Sequence, residues 1–565
     1  MTTQSSAHAG KHTMSETGGV QAEQPWQRLD KRMLLVHPVT ETIRFIPVLI
    51  GSVILSTSSD NPLASIIALP LIVGLALTRW LTTTYRVGPT HVELRTGLLQ
   101  RKKLSVPRPR IRSVDIEASL LHRVLGLAVL AIGTGQQAES EEQFKLDALD
   151  ARVVPQLRAT LLAHTTDPTE EEFEKQKNPL ENASGEATAR RTPAHEIGHW
   201  TPAWVRYAPL SLTGFAIVVP IIGIAFQYGL GELAFRSDVM ADIEDGGVFV
   251  LVLTVAVLLS ATIALVSAAT CADYLATYFG LRVVDNGKTL QLRHGLFTTR
   301  QITLDLARLR GATVKQPLLL RLAGGAELEA IMTGENPCQT ILPKAPRAAV
   351  EHTLSHLLAP VDIRADAIAA RPDAIADGAN AAGAHAFTAP ASAPLITHGS
   401  AARRRRYTRA LAPVAVIAAV LAGISLTGQN YSPWWWLIPG IALPAALALA
   451  EDRYRGLGHT VLPRTSISPT WLITQSGSLD RSRDCLEAPG VIGWTVRQTF
   501  FQRRAGVATV VAATAAGKKR YSVVDIRLAE AWELIESVTP GRLGHRLPAE
   551  HPGGTERWPN HGENH

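Results

Sequence analysis

HVELRTGLLQRKKLSVPRPRIRSVDIEASLLHRVLG, residues 91–126, decides the fold, because the chain says it again. TLQLRHGLFTTRQITLDLARLRGATVKQPLLLRLAG, residues 289–324, lies on it without a gap at an offset of 198. Arg95 meets Arg293, Gly97 meets Gly295, Leu98 meets Leu296, Arg110 meets Arg308, Ile111 meets Leu309, Arg123 meets Arg321 and Gly126 meets Gly324. A third, more diverged copy is LITQSGSLDRSRDCLEAPGVIGWTVRQTFFQRRAGVATVVAA (472–513). At an offset of 380, Gly477, Val491, Val496, Phe500, Phe501, Arg503 and Gly506 fall on the same positions. Self-similarity of this kind marks a unit written several times.

The unit has a readable form. HVELRTG and TLQLRHG alternate apolar and polar residues and stop at glycine, as a half-buried strand and its turn do. Short β-branched and leucine-rich runs follow. Each copy ends in an amphipathic stretch with apolar residues at helical spacing, expected as helices over 147–164, 343–360 and 523–538. Antiparallel strands closed by one helix make an α+β arrangement, the helix covering the open end of the sheet.

Apolar blocks stand before each copy, in pairs: 45–56 and 62–81, 207–230 and 247–270, 410–428 and 433–450. About 20 apolar residues cross a hydrocarbon core as a helix. The pairs therefore predict six crossings in three hairpins, 42–81, 207–270 and 410–450. Lys and Arg flank the open ends of the hairpins (Lys31, Arg32, Arg79, Arg86, Arg190, Arg191 and Arg403–Arg406), whereas the turns are poor in base. By the positive-inside bias, both termini and all long polar segments then lie in the cytoplasm of an inner or plasma membrane, with Trp434, Trp435 and Trp436 at the outer interface.

The R-x-G-L turn, the R-I-x-x-V strand, the LLxRxLG segment and the closing helix resemble the bacterial pleckstrin-homology-like (YdbS/YdbT-type) membrane protein family, whose larger members alternate hairpins with such domains, three of each. The resemblance spans roughly residues 26–540 and is weakest in the third copy, where Ser478, Gly490 and Val491 replace the usual Leu, Arg and Ile. It implies pleckstrin-homology-like domains over 82–165, 274–360 and 454–538, each an antiparallel barrel or sheet capped by its helix. It further implies a non-enzymatic membrane protein and a small single-module relative as partner. An oligomer is compatible with this organisation. The remainder reads as tails at 1–25 and 541–565 and linkers at 166–200 and 361–402.

Two sets of residues invite function. Arg101, Lys102, Lys103, Arg108, Arg110 and Arg112 concentrate base in the first copy, where a nearby membrane would offer anionic headgroups or a partner protein could dock. HEIGH (195–199) has the spacing of a zinc-protease helix, with His195 and His199 as ligands and Glu196 as base. Pro193 and Pro202 confine any such helix to about two turns, and no third ligand presents itself, so HEIGH is expected to be linker sequence. No cofactor and no catalysis are expected. Three distant cysteines (Cys271, Cys338 and Cys485) indicate neither a disulfide framework nor a cysteine zinc site. The net charge of +7 and the run Arg403–Arg406 could suggest nucleic acid, but basic residues directly before an apolar helix are membrane anchors.

Overall fold

A computed structural model describes residues 26–33, 83–88, 90–96, 102–111, 113–133, 144–162, 195–210, 247–334, 336–360, 364, 390, 392–426 and 433–542. In the first block, β1 (Gln27–Arg28), β2 (Thr84–Val87), β3 (His91–Thr96) and β4 (Lys102–Pro107) lead through a 3-10 turn at Arg108–Arg110 into β5 (Ser113–Ala118). There follow α1 (Leu120–Val124), β6 (Leu127–Gly133), β7 (Phe144–Asp150) and α2 (Val154–Leu162). The second block contains β8 (His195–His199), the long helix α3 (Gly247–Tyr278), β9 (Arg282–Asp285), β10 (Thr289–His294) and β11 (Thr299–Asp305). It continues with β12 (Leu309–Pro317), α4 (Leu318–Leu322), β13 (Gly325–Met332), β14 (Cys338–Pro346) and α5 (Arg347–Leu357). The third begins with the helical pair α6 (Gly399–Leu426) and α7 (Leu437–Arg455), then β15 (Gly458–Leu462), β16 (Trp471–Ser476) and β17 (Asp480–Glu487). It closes with β18 (Val491–Arg497), α8 (Phe500–Arg504), β19 (Val507–Thr514), β20 (Arg520–Arg527) and α9 (Leu528–Val538).

The repeat offsets hold in three dimensions. The 3-10 turns at 108–110, 306–308 and 488–490, and the short helices α1, α4 and α8, fall at equivalent positions. Gly126, Gly324 and Gly506 share a left-handed backbone, at φ 69°, 73° and 67°.

The described strands do not close into a separate barrel in each block. Every block opens between its 3-10 turn and the strand after it, and two of the resulting sheets run from one block into the next. One sheet has the order β7-β6-β5-β11-β10-β9-β8, the next β14-β13-β12-β17-β16-β15. Side chains alternate along a strand, so a shared sheet can feed two cores. On β16, Leu472 enters the core of the third block, while Trp471 and Ile473 pack into that of the second. The closing helices behave as their spacing requires, α9 burying Ala531, Leu534, Ile535 and Val538. They start later than the sequence suggests, at Val154, Arg347 and Leu528, because the residues before them pair as β7, β14 and β20.

The two expected linkers are partly built into sheets. HEIGH is neither linker nor helix but strand β8, antiparallel to β9. Ile197, flanked by polar residues, is its buried anchor, and Gly198 allows close approach to Leu342 and Thr353. The Thr353 hydroxyl donates to the Ile197 carbonyl at 2.9 Å, and the His195 ring lies 5.3 Å from that of His356. In the 361–402 stretch, Ala393 and His398 are buried, and Ile396 bridges to His459. Each block thus takes its outermost sheet contact, β1, β8 or Ile396, from chain that precedes its apolar stretch.

Among the described residues, three helices are long and apolar enough to cross a membrane: Ala256–Tyr278 within α3, α6, and Trp434–Arg455 including α7. Leu258, Val420 and Ile441 on them are exposed, which fits lipid rather than water around them. The first expected hairpin (42–81) and residues 211–246 of the second lie outside the described residues.

A buried histidine pair ties the start of α6 to the third block. His398 Nδ1 lies 2.7 Å from the Val524 carbonyl and must donate to it, which leaves Nε2 to accept from His459 Nδ1 at 2.8 Å. Both rings are neutral in this arrangement. Burial, helped by the neighbouring His398, pushes His459 down to about 4, and burial also lowers His398. In the unfolded chain both titrate near the ordinary value of 6.5. Below that pH the unfolded state therefore binds more protons, and stability falls progressively as pH drops from about 6.5 towards 4. Thermal midpoints of the solubilised protein at pH 7.5 and 5 should differ accordingly, with the slope flattened in His459→Gln.

Candidate functional site: an arginine-lined cleft

Four consecutive arginines on a helix cannot share one direction. On α6, Arg403 reaches Glu451 on α7 at 3.1 Å, and Arg405 and Arg406 turn into the third block, each 3.1 Å from Asp525. Arg404 is left on another face. Ala401, Arg404, Arg405, Thr408, Arg409 and Ala412 recur at the three- and four-residue spacing of one helical stripe. Opposite stand Phe501, Arg504 and Ala505 of the third block, and between the two walls is a cleft of about 870 Å³.

Asp525 fixes these walls relative to each other. It is fully buried, has φ 59° at an irregularity between β19 and β20, and also accepts from Gln502 Nε2 of α8 at 2.9 Å. Its one carboxylate therefore grips α6 and α8 together. Arg404, Arg409 and Arg504 are exposed and, among the described residues, have no carboxylate at ion-pair distance. Guanidinium groups bind phosphate bidentately, and Phe501, 72% exposed, supplies an apolar wall. The site suits an anion with an apolar part, and it lies where α6 passes from arginines to uninterrupted apolar residues.

The basic cluster expected in the first block is dispersed. Lys102 and Lys103 are exposed neighbours on β4, so their side chains leave opposite faces. Lys103 pairs with Glu93 at 2.8 Å, which Arg86 also holds at 2.7 Å. The Lys103 hydrogen bond is the main influence keeping the Glu93 carboxyl below its usual range. Arg108 is buried in the 3-10 turn, and burial lowers its pKa, whereas Arg110 is exposed there. Arg101 and Arg112 lie outside the described residues. His195, Glu196 and His199 belong to a pairing strand, and no cluster of metal-ligating side chains occurs among the described residues.

The sequence reading took Arg403–Arg406 only as an anchor and missed the cleft. Half the signal was present in the stripe from 401 to 412; the other wall comes from residues 501–505 and needed the fold.

The family model for the bacterial PH domain matches residues 43–165 and 238–359. The third block lies outside both matches, and its kinship rests on the repeated geometry above. No curated protein and no solved structure matches the chain. That domain model thus recurs over two successive stretches of the chain, consistent with a bacterial PH-like protein of several modules.

Proposed function

We propose that the protein is a multi-pass membrane scaffold. Six crossings in three hairpins carry three PH-like modules on the cytoplasmic side of the cell membrane, where they hold anionic lipid and partner protein without catalysis. The arginine-lined cleft supports this reading best: three guanidinium groups with no carboxylate partner among the described residues meet an exposed aromatic ring at the foot of an apolar helix. The basic residues of the first block, Lys102, Lys103 and Arg110 among them, would add a diffuse attraction to the same surface.

A lipid phosphate would sit between Arg404, Arg409 and Arg504 with its acyl chains along α6. Each basic residue near an anionic surface adds about 1 kcal/mol. Replacing all three with alanine should then weaken retention of phosphatidylglycerol roughly a hundredfold, since about 1.4 kcal/mol is a factor of ten. The full chain in phosphatidylcholine nanodiscs doped with phosphatidylglycerol, read by native mass spectrometry, tests this. Unchanged retention in the triple variant would remove the cleft as the site.

A further inference from the structure

The blocks join by strand pairing, and both joints use one register. Ile116 on β5 stands opposite Gln301 on β11, and Val314 on β12 stands opposite Arg483 on β17. Subtracting the offsets of 198 and 380 turns both into residue 116 opposite residue 103. The edge that each block offers forward is therefore a defined docking edge, used twice in this chain. Its third copy is β18, and no described strand lies on the outer side of β18.

The details at β18 match an unfilled joint. At Gly311, where the second block meets the third, an added Cβ would stand 2.0 Å from the Cys485 carbonyl oxygen, so the partner strand occupies that space. The equivalent residue in the third block is again glycine, Gly493, and nothing lies within 4 Å of its Cβ position. Beside each filled joint an arginine reaches the following block. Arg123 donates to the Leu296 carbonyl, and Arg321 to Asp452, which also binds Ser478 and Arg481. Their counterpart Arg503 is exposed and has no described partner. Arg542 takes the carbonyls of Val491 and Ile492, and no other described residue pairs with the outer edge of Gly493–Arg497.

Charge decides the occupant. One rung of the first joint pairs Glu117 with Arg300, 3.6 Å apart, and the same rung of the second pairs Lys315 with Ser482. If a second copy of this chain added its β4 to β18 in the same register, Arg497 would face Lys102. Like charges directly opposite destabilise a strand pair, and lysine on an edge strand deters pairing.

We propose that β18 docks an antiparallel edge strand of a different protein, one that carries a carboxylate opposite Arg497, in the register of the two internal joints. This gives the scaffold reading a protein partner. It shares no residue with the arginine cleft, so either can fail alone.

A second copy with a corrected charge serves as the probe. All chains carry Cys338→Ser, to remove the exposed native thiol. One carries Val496→Cys; the other carries Lys103→Cys with Lys102→Glu, which places a carboxylate on the Arg497 rung. Mild oxidation of the mixed, solubilised full-length chains should give a disulfide-linked dimer at least tenfold above that formed when Lys102 is kept. The reverse swap, Arg497→Glu beside Val496→Cys with Lys102 intact, should give the same gain and guards against misfolding of one variant. Thr495→Cys, out of register, should not crosslink. Equal crosslinking with Lys102 and Arg497 both present would make a second copy the occupant and overturn the proposal. No crosslinking with either swap would overturn β18 as a docking edge.

Discussion

Asp525→Asn is expected to cost about 3–5 kcal/mol of stability, the usual penalty for removing one side of a buried ion pair. The residue is fully buried, and two guanidinium groups converge on it. Arg405 makes no well-directed hydrogen bond with its buried nitrogens, so the carboxylate charge is what holds it. Asparagine tolerates φ near 59° as aspartate does, which separates charge from backbone strain. A lowered thermal midpoint and new protease cleavage within the β15–β20 part of the third block should both appear. Arg405→Met in the Asp525→Asn background should recover part of the loss, because one stranded charge is then replaced by an apolar chain. If the single variant melts with the wild type, the carboxylate does not hold this junction.

Gly311→Ala should separate the second block from the third. The backbone there has φ 150°, and the added methyl would lie 2.0 Å from the Cys485 carbonyl oxygen. Strain of about 1–3 kcal/mol at such a backbone adds to about 1 kcal/mol for a displaced ladder hydrogen bond. The first joint shows what happens without the glycine: the equivalent residue is Ser113, and pairing covers only 116–118, against 311–317 at the second joint. Hydrogen exchange should accelerate in β12 and β17 of the variant and stay slow in β19 and β20. Uniform protection would show that the joint tolerates a side chain.

Much of this architecture was legible beforehand. Alternation in HVELRTG and TLQLRHG gave β3 and β10, and helical spacing gave α2, α5 and α9. The joints were not legible, because strand pairing between blocks runs through backbone groups that every residue possesses. HEIGH, expected as linker because its flanking prolines leave little room for a helix, is a strand. Its one apolar residue between polar neighbours is also how a short edge strand looks, and Ile197 settles the matter by its burial. Asp525 carried no signal, since its effect depends on two arginines more than a hundred residues earlier.

The outermost strand of each block has a consequence for biogenesis. β8 leaves the ribosome some eighty residues before its partner β9, with an apolar stretch between them. Trp200 and Leu281 then fasten the two ends of that stretch by a backbone hydrogen bond of 2.8 Å. An exposed β8 must wait, unpaired, until the apolar segment has been delivered to its own solvent. With the proposed crossings, translation and insertion would set the order in which each sheet is completed, and a stalled insertion would leave an orphan edge as a mark for proteolysis.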